Sequence, residues 1–307
     1  MTVAANTATG LGSRLVNTVL AIQPLANLAK HQARQMMVKR AEKIGVPWTK
    51  TVRELRSQEW ESHWQQVYNP QLQYPEYYCC SFHAYEQGNL SWDAAFEVEV
   101  AARAVHAGIW SNAGAAGDAQ LRQSYHEIVK SQLPHNPQAI LDVGCSVGMS
   151  TFALKALYPQ AKITGLDLSP YFLAVAHQRS QQQNQSEIEW VHAAAEATGL
   201  PEANYDLVSI FLVCHELPQS ATRQILQEMQ RLLRPGGYLA IMDMNPQSEI
   251  YAQMPPYILT LLKSTEPYLD EYFTLDIAQA IVAAGFHPPT ITCNSPRHRT
   301  IVSQVKD

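Results

Sequence analysis

The sequence offers no paired-cysteine spacing. Its cysteines, Cys79, Cys80, Cys145, Cys214 and Cys293, are odd in number, two are adjacent, and no CxxC pair occurs. That argues against a disulfide framework and a structural zinc site, and favours a reducing, cytoplasmic setting. No uninterrupted apolar run reaches the ~20 residues a bilayer span requires. Charged residues make up only 16% and the formal net charge is −5, so the basic excess of a nucleic-acid-binding protein is missing. No His/Cys/Asp/Glu cluster suits a metal, and no glycine–serine elbow suits a hydrolase nucleophile. What remains is a globular chain, 46% hydrophobic over 307 residues, long enough for one large or two small domains.

The stretch Ala139-Ile140-Leu141-Asp142-Val143-Gly144-Cys145-Ser146-Val147-Gly148-Met149-Ser150 organises the rest. An apolar run ends on an acidic residue, and a glycine turn and a helical stretch follow. Glycines let the backbone take positive φ and approach a ligand, and the helix aims its free N–H groups at the same spot. Lys162–Asp167 reads as a second strand, placing Asp167 about 20 residues beyond the turn, where a ribose-binding carboxylate belongs. Ser169 and Pro170 then suit a helix cap and first position. Tyr205–Leu212 reads as a buried strand running into Cys214-His215-Glu216, and Leu232–Asp243 as a helix stopped at Arg234-Pro235-Gly236-Gly237 before another strand.

Together "LDVGCSVG", "GLDLSP", "YDLVSIFLVCHELP" and "LLRPGGYLAIMD" resemble the ordered motifs of class I, Rossmann-like S-adenosylmethionine-dependent methyltransferases. They are similar to the ubiquinone/menaquinone C-methyltransferase-like branch. The alternation along the chain predicts strands over 139–143, 161–166, 188–192, 206–212 and 237–243. Helices fall over 149–158, 170–183 and 219–233. An extra helical insert follows at 250–265, then a helix over 274–285 and a hairpin over 289–306. The expected fold is α/β: a doubly wound, mostly parallel seven-stranded sheet with a C-terminal antiparallel hairpin, plus a helical N-terminal region. The division is residues 1–136, helical and aromatic-rich, and residues 137–307, the cofactor-binding domain.

The resemblance implies S-adenosylmethionine as cofactor and assigns its contacts. Asp142 faces the methionine ammonium. Gly144, Cys145, Ser146 and Gly148 form the turn, with Ser146 standing where the family usually has a third glycine. Asp167 accepts from the ribose hydroxyls, beside Leu168. Ala194 and Ala195 meet the adenine by backbone, because an alanine, Ala194, stands where the family often has an acidic residue before "AE". Phe211 and Leu212 line the pocket.

His215 and Glu216 fall near the transferred methyl, and His215 suits either a general base or a pocket wall. Nine aromatic residues lie between Trp60 and Trp92. They suit either an apolar acceptor or an ordinary core. Within them His83 and Tyr85 are candidate catalytic residues reaching in from a loop. Residues 11–43 read as helical, broken near Pro24, with Leu11, Leu15, Val16, Val19, Leu20 and Ile22 on one stripe and Lys30, Arg34, Lys39, Arg40 and Lys43 beyond. That pattern fits peripheral membrane contact or packing over the domain.

The function expected is methyl transfer to a small, apolar or aromatic acceptor: quinol-like, lipid-like or a secondary metabolite. A nicotinamide-dependent oxidoreductase and a non-catalytic cofactor-binding scaffold remain as alternatives. The acceptor, the attacked atom and the oligomeric state are left open by the residues alone.

Overall fold

A computed structural model describes residues 23–80 and 85–306. Five strands run parallel: β1 (Ala139–Val143), β2 (Lys162–Asp167), β3 (Glu189–His192), β4 (Tyr205–Phe211) and β5 (Leu233–Met244). A hairpin of β6 (Thr290–Ser295) and β7 (His298–Gln304) completes the sheet, with β7 antiparallel to β5. The order is β3-β2-β1-β4-β5-β7-β6. The strand order reverses between β1 and β4, so the carboxyl ends there open a crevice, the usual ligand position in such sheets. β1 and β4 are almost wholly buried, which is why they read as continuous apolar runs rather than alternating ones.

Helices cover both faces: α5 (Gly117–Gln132), α6 (Met149–Leu157), α7 (Pro170–Gln182) and α8 (Gln219–Leu232). Ser169 caps α7 by accepting from the Phe172 N–H, and Pro170 takes the first turn, where no amide donor is needed. β5 begins earlier than expected. Leu233 already pairs with Tyr205, so the Arg-Pro-Gly-Gly turn is a bulged entry into the strand rather than a stop before it. After β5 come the short helices α9 (Glu249–Ala252), α10 (Pro256–Thr265) and α11 (Leu269–Thr274), then α12 (Ile277–Ala283). The expected helix over 274–285 is thus shorter, because Asp276 caps it by accepting from the Gln279 N–H.

The N-terminal region is helical: α1 (Gln23–Lys43), α2 (Trp48–Arg56), α3 (Glu61–Val67) and α4 (Trp92–His106). α1 is described from Gln23 onward, so whether the helix is broken near Pro24 turns on residues outside the described ones. The apolar stripe of residues 11–22 lies outside the described residues. α1 packs on α4, and the buried Glu97 of α4 accepts from the Arg34 Nε at 2.9 Å, so one cation of the basic stretch is turned inward. α3 packs on α7, and one apolar core joins Trp48, Trp60 and Phe96 to Val147, Phe172 and Val175 of the sheet domain. No helix among the described residues is long and apolar enough to cross a membrane.

Candidate active site

The glycine turn is fastened to its neighbour strand. Gly144 N–H and Cys145 N–H both donate to the Leu166 carbonyl, at 2.8 and 3.0 Å. Gly144 has φ +67°, and a Cβ there would lie 2.5 Å from Val213 Cγ2, so the loop after β4 leaves no room for a side chain. Ser146 also takes positive φ, at 50°, where a glycine would bear no strain. Its N–H donates to Asp167 Oδ2 at 2.8 Å, and Ser169 N–H donates to Asp167 Oδ1 at 2.8 Å. The two strand-tip motifs are therefore one unit. Burial pushes the Asp167 carboxyl up to about 6 against those donors.

Asp142 is fully buried. Its Oδ2 accepts from the Ser150 and Thr151 hydroxyls, each at 2.6 Å, while Oδ1 has no partner. Burial pushes this carboxyl up to about 6 as well. An orphaned buried carboxylate oxygen is expensive unless a cationic donor meets it. Cys145, between the two carboxylates, is buried, and burial pushes its thiol far up, so it lines the turn as a neutral group.

At the tip of β4, Phe211 lies under the Arg122 guanidinium, 4.4 Å from ring centre to carbon. Arg122 also donates its Nε to Asp118 at 3.0 Å, and its Nη2 lies 3.9 Å from Met149 Sδ. Burial would raise the Asp118 carboxyl, but Arg122 and His106 outweigh it and hold Asp118 well below the usual carboxylate range. Arg122 thus faces the crevice from α5, a residue the motifs did not single out. Leu212 follows with φ +60°, strained at the same tip, and its N–H donates to the Met242 carbonyl at 2.8 Å.

His215 is buried beside the end of β5. Its Nδ1 lies 2.7 Å from Asp243 Oδ1 and its backbone N–H donates to Asp243 Oδ2 at 3.2 Å. Burial lowers the imidazole pKa, but the Asp243 carboxylate, then Glu266 and Glu216, raise it to about 10. At neutral pH this is an imidazolium, clamped by a carboxylate that the sequence marked only as a strand end. Cys214 beside it is a buried thiol pushed far up by burial and Asp243.

A strap from Tyr68 to Cys80 crosses the carboxyl ends of β2 and β3. Asn69 N–H donates to His192 Nδ1 at 3.0 Å, and the Tyr74 hydroxyl meets His192 Nε2 at 3.1 Å. Tyr77 donates its hydroxyl to Glu196 Oε1 at 2.5 Å, next to Ala194 and the buried Ala195. Glu196 Oε2 is buried without a partner. Burial first, then the charges of Asp167 and Glu216, push the Tyr78 phenol far up. Beyond, Ser169 donates its hydroxyl to the Asn89 carbonyl at 2.7 Å. Tyr85 is directed elsewhere: its hydroxyl donates to Glu97 at 2.7 Å, among the N-terminal helices. His83 lies outside the described residues.

Hydrogen bonds thus tie Gly144, Cys145 and Ser146 to Leu166 and Asp167, with Phe211 and Leu212 at the tip of β4 and Ala194 and Ala195 just past β3. A buried carboxylate oxygen without a partner and a nearby guanidinium suit a zwitterionic group.

Residues 140–237 match the family described as "Methyltransferase domain". The chain is 40% identical over 102 residues to a trans-aconitate 2-methyltransferase of Azoarcus sp. strain BH72, covering 33% of this chain and 37% of that protein. It is 31% identical over 105 residues to a demethylmenaquinone methyltransferase of Listeria welshimeri, covering 34% and 44%. The chain therefore spans about two fifths of the length of these curated relatives. Among solved structures, a Haemonchus contortus phosphoethanolamine N-methyltransferase with S-adenosylmethionine bound shares the fold. Its TM-score is 0.54 at 13% identity, over 76% of this chain and 61% of that one.

Proposed function

We propose that the protein, whose residues 140–237 match the family described as "Methyltransferase domain", uses S-adenosylmethionine to methylate a small apolar or aromatic acceptor bearing an acidic hydroxyl or enol. The observation that carries the reading is the bond from Ser146 N–H to Asp167, which joins the glycine turn to the second strand tip as one nucleoside cradle. The cofactor, when bound, supplies a methyl group activated by its sulfonium for in-line displacement.

The chain's part is to bind, orient and exclude water. Asp142 Oδ1 takes the ammonium and Arg122 the carboxylate of the methionine end. Asp167 takes the ribose hydroxyls, because an acceptor pair matches two adjacent donors. Backbone at Ala194 and Ala195 meets the adenine, while Phe211 and Leu212 back the sulfur.

His215 is protonated at neutral pH and so is a poor proton acceptor there. Paired with Asp243, it fixes the geometry of the loop after β4 rather than acting as a base. Tyr77, Tyr78 and Tyr268 supply the aromatic wall, with Tyr77 and Tyr268 edge to face at 6.3 Å. Quinol-type phenols are the first acceptors to try, given the demethylmenaquinone relative.

Isothermal titration with S-adenosylmethionine and S-adenosylhomocysteine tests cofactor use, with micromolar binding expected. Labelled cofactor and cell extract, followed by mass spectrometry, then finds products heavier by one methyl group. Binding of neither cofactor form overturns the reading.

A further inference from the structure

We propose that the adjacent thiols of Cys79 and Cys80 form a reversible oxidation site that unlatches the strap from the cofactor crevice. The site is placed for chemistry. Cys79 is exposed and Cys80 half-buried, whereas Cys145 and Cys214 are buried. Cys293 is exposed on β6, the strand at the opposite edge of the sheet from β3, where the strap is anchored. Cys79 and Cys80 are adjacent in the chain, so a ring between them requires only local movement.

The geometry makes that ring a switch rather than a staple. Adjacent Cα atoms sit about 3.8 Å apart across a trans peptide, shorter than the ~4.4–6.8 Å of ordinary disulfides. The bond is strained, and strained disulfides are easily reduced.

Closure also cannot leave the local backbone as it is. Cys79 stands at φ −83°, ψ 5°, ending the tight turn Glu76–Tyr78, with its N–H donating to the Glu76 carbonyl at 3.2 Å. Cys80 Sγ lies 3.0 Å from the Tyr77 carbonyl and must swing away to meet Cys79. That same turn aims Tyr77 at Glu196 and carries Tyr78 beside it. Reshaping it withdraws the aromatic wall and loosens the adenine side of the crevice.

The reaction balances with a low-molecular-weight disulfide as oxidant. The Cys79 thiolate attacks it, forming a mixed disulfide and expelling one thiolate. The Cys80 thiolate then attacks the Cys79 sulfur, forming the intramolecular bond and expelling the second. The oxidant is reduced to two thiols, and the protons lost from Cys79 and Cys80 end on them or in solvent.

The consequence for binding rests on the cofactor reading above, so the test has a separate arm. The full chain carrying Cys293→Ser is treated with oxidised glutathione, desalted and compared with its reduced form. The expected result is a peptide holding both cysteines that is lighter by two hydrogens, and faster hydrogen–deuterium exchange over residues 69–80. S-adenosylhomocysteine should bind at least five-fold more weakly, with affinity restored by dithiothreitol. Added Cys79→Ser or Cys80→Ser should abolish the response while leaving reduced-state affinity intact. Stable mixed disulfides or cross-linked dimers in place of the lighter peptide overturn the proposal, as does a lighter peptide with unchanged exchange. If the reduced protein binds no cofactor, the functional reading fails while the mass and exchange results still decide the thiol site.

Discussion

Replacing Asp142 by Asn should stabilise the empty protein and cripple cofactor binding at once. The carboxyl is fully buried and pushed from 3.8 up to about 6, so holding it ionised at pH 7 costs about 3 kcal/mol. Asn keeps an acceptor for Ser150 and Thr151 and sheds the charge. Its folded-state pKa lies above the unfolded value. The carboxyl's contribution to folding is therefore complete below about 4 and is lost as pH rises through about 6. Relief of the full penalty would raise the melting temperature by roughly 6–12 °C at pH 7, an upper bound for a chain of this size. The gain should shrink as pH falls toward 4, where the wild-type carboxyl is neutral too. Binding should move the other way. Losing a charge-assisted bond to an ammonium costs about 1.5–3 kcal/mol, or roughly 10- to 100-fold in affinity. Scanning fluorimetry at several pH values and titration with S-adenosylhomocysteine read both. A variant that melts lower at pH 7 and binds as tightly as wild type would refute the account of Asp142.

Gly144→Ala should cost about 2–4 kcal/mol, from left-handed strain and the clash with Val213. Adding Val213→Ala should return only the steric part in urea melts, and a full rescue would mean that the backbone conformation carries no penalty. Arg122→Gln should weaken S-adenosylhomocysteine at least ~10-fold while leaving 5′-methylthioadenosine, which lacks the amino-acid end, unchanged. Equal losses for the two ligands would remove Arg122 from the carboxylate role. Asp243→Asn should destabilise by about 3–5 kcal/mol at pH 7, because the variant loses the buried ion pair and burial drives His215 to its neutral form. His215 is raised from 6.5 to about 10, so its stabilising contribution is complete below 6.5 and fades as pH rises through 10. Stability measured from pH 7 to 10 should therefore fall more steeply in wild type than in the variant, and parallel slopes would contradict the pairing.

The sheet was legible because its strands are long apolar runs bounded by glycine, proline and acidic residues. Asp142, Gly144 and Asp167 were legible because they sit at fixed offsets from those runs. Arg122 was not. It lies on a helix upstream of the glycine turn, and nothing local separates it from any other helical cation; only packing against Phe211 and Met149 aims it. Asp243 read as a strand terminus because its partner is 28 residues away and enters by a loop. The aromatic richness of the strap was plain, yet composition does not say where hydroxyls go. Tyr77 finds Glu196 and Tyr85 finds Glu97, two neighbouring tyrosines with opposite destinations.

The apolar seam between Trp48, Trp60, Phe96 and Val147, Phe172, Val175 makes the two halves inseparable in one further sense. Cutting the chain near residue 136 would uncover oily surface on both pieces. Calorimetry of the intact molecule should accordingly give a single cooperative endotherm, with the aromatic half melting in step with the sheet it covers.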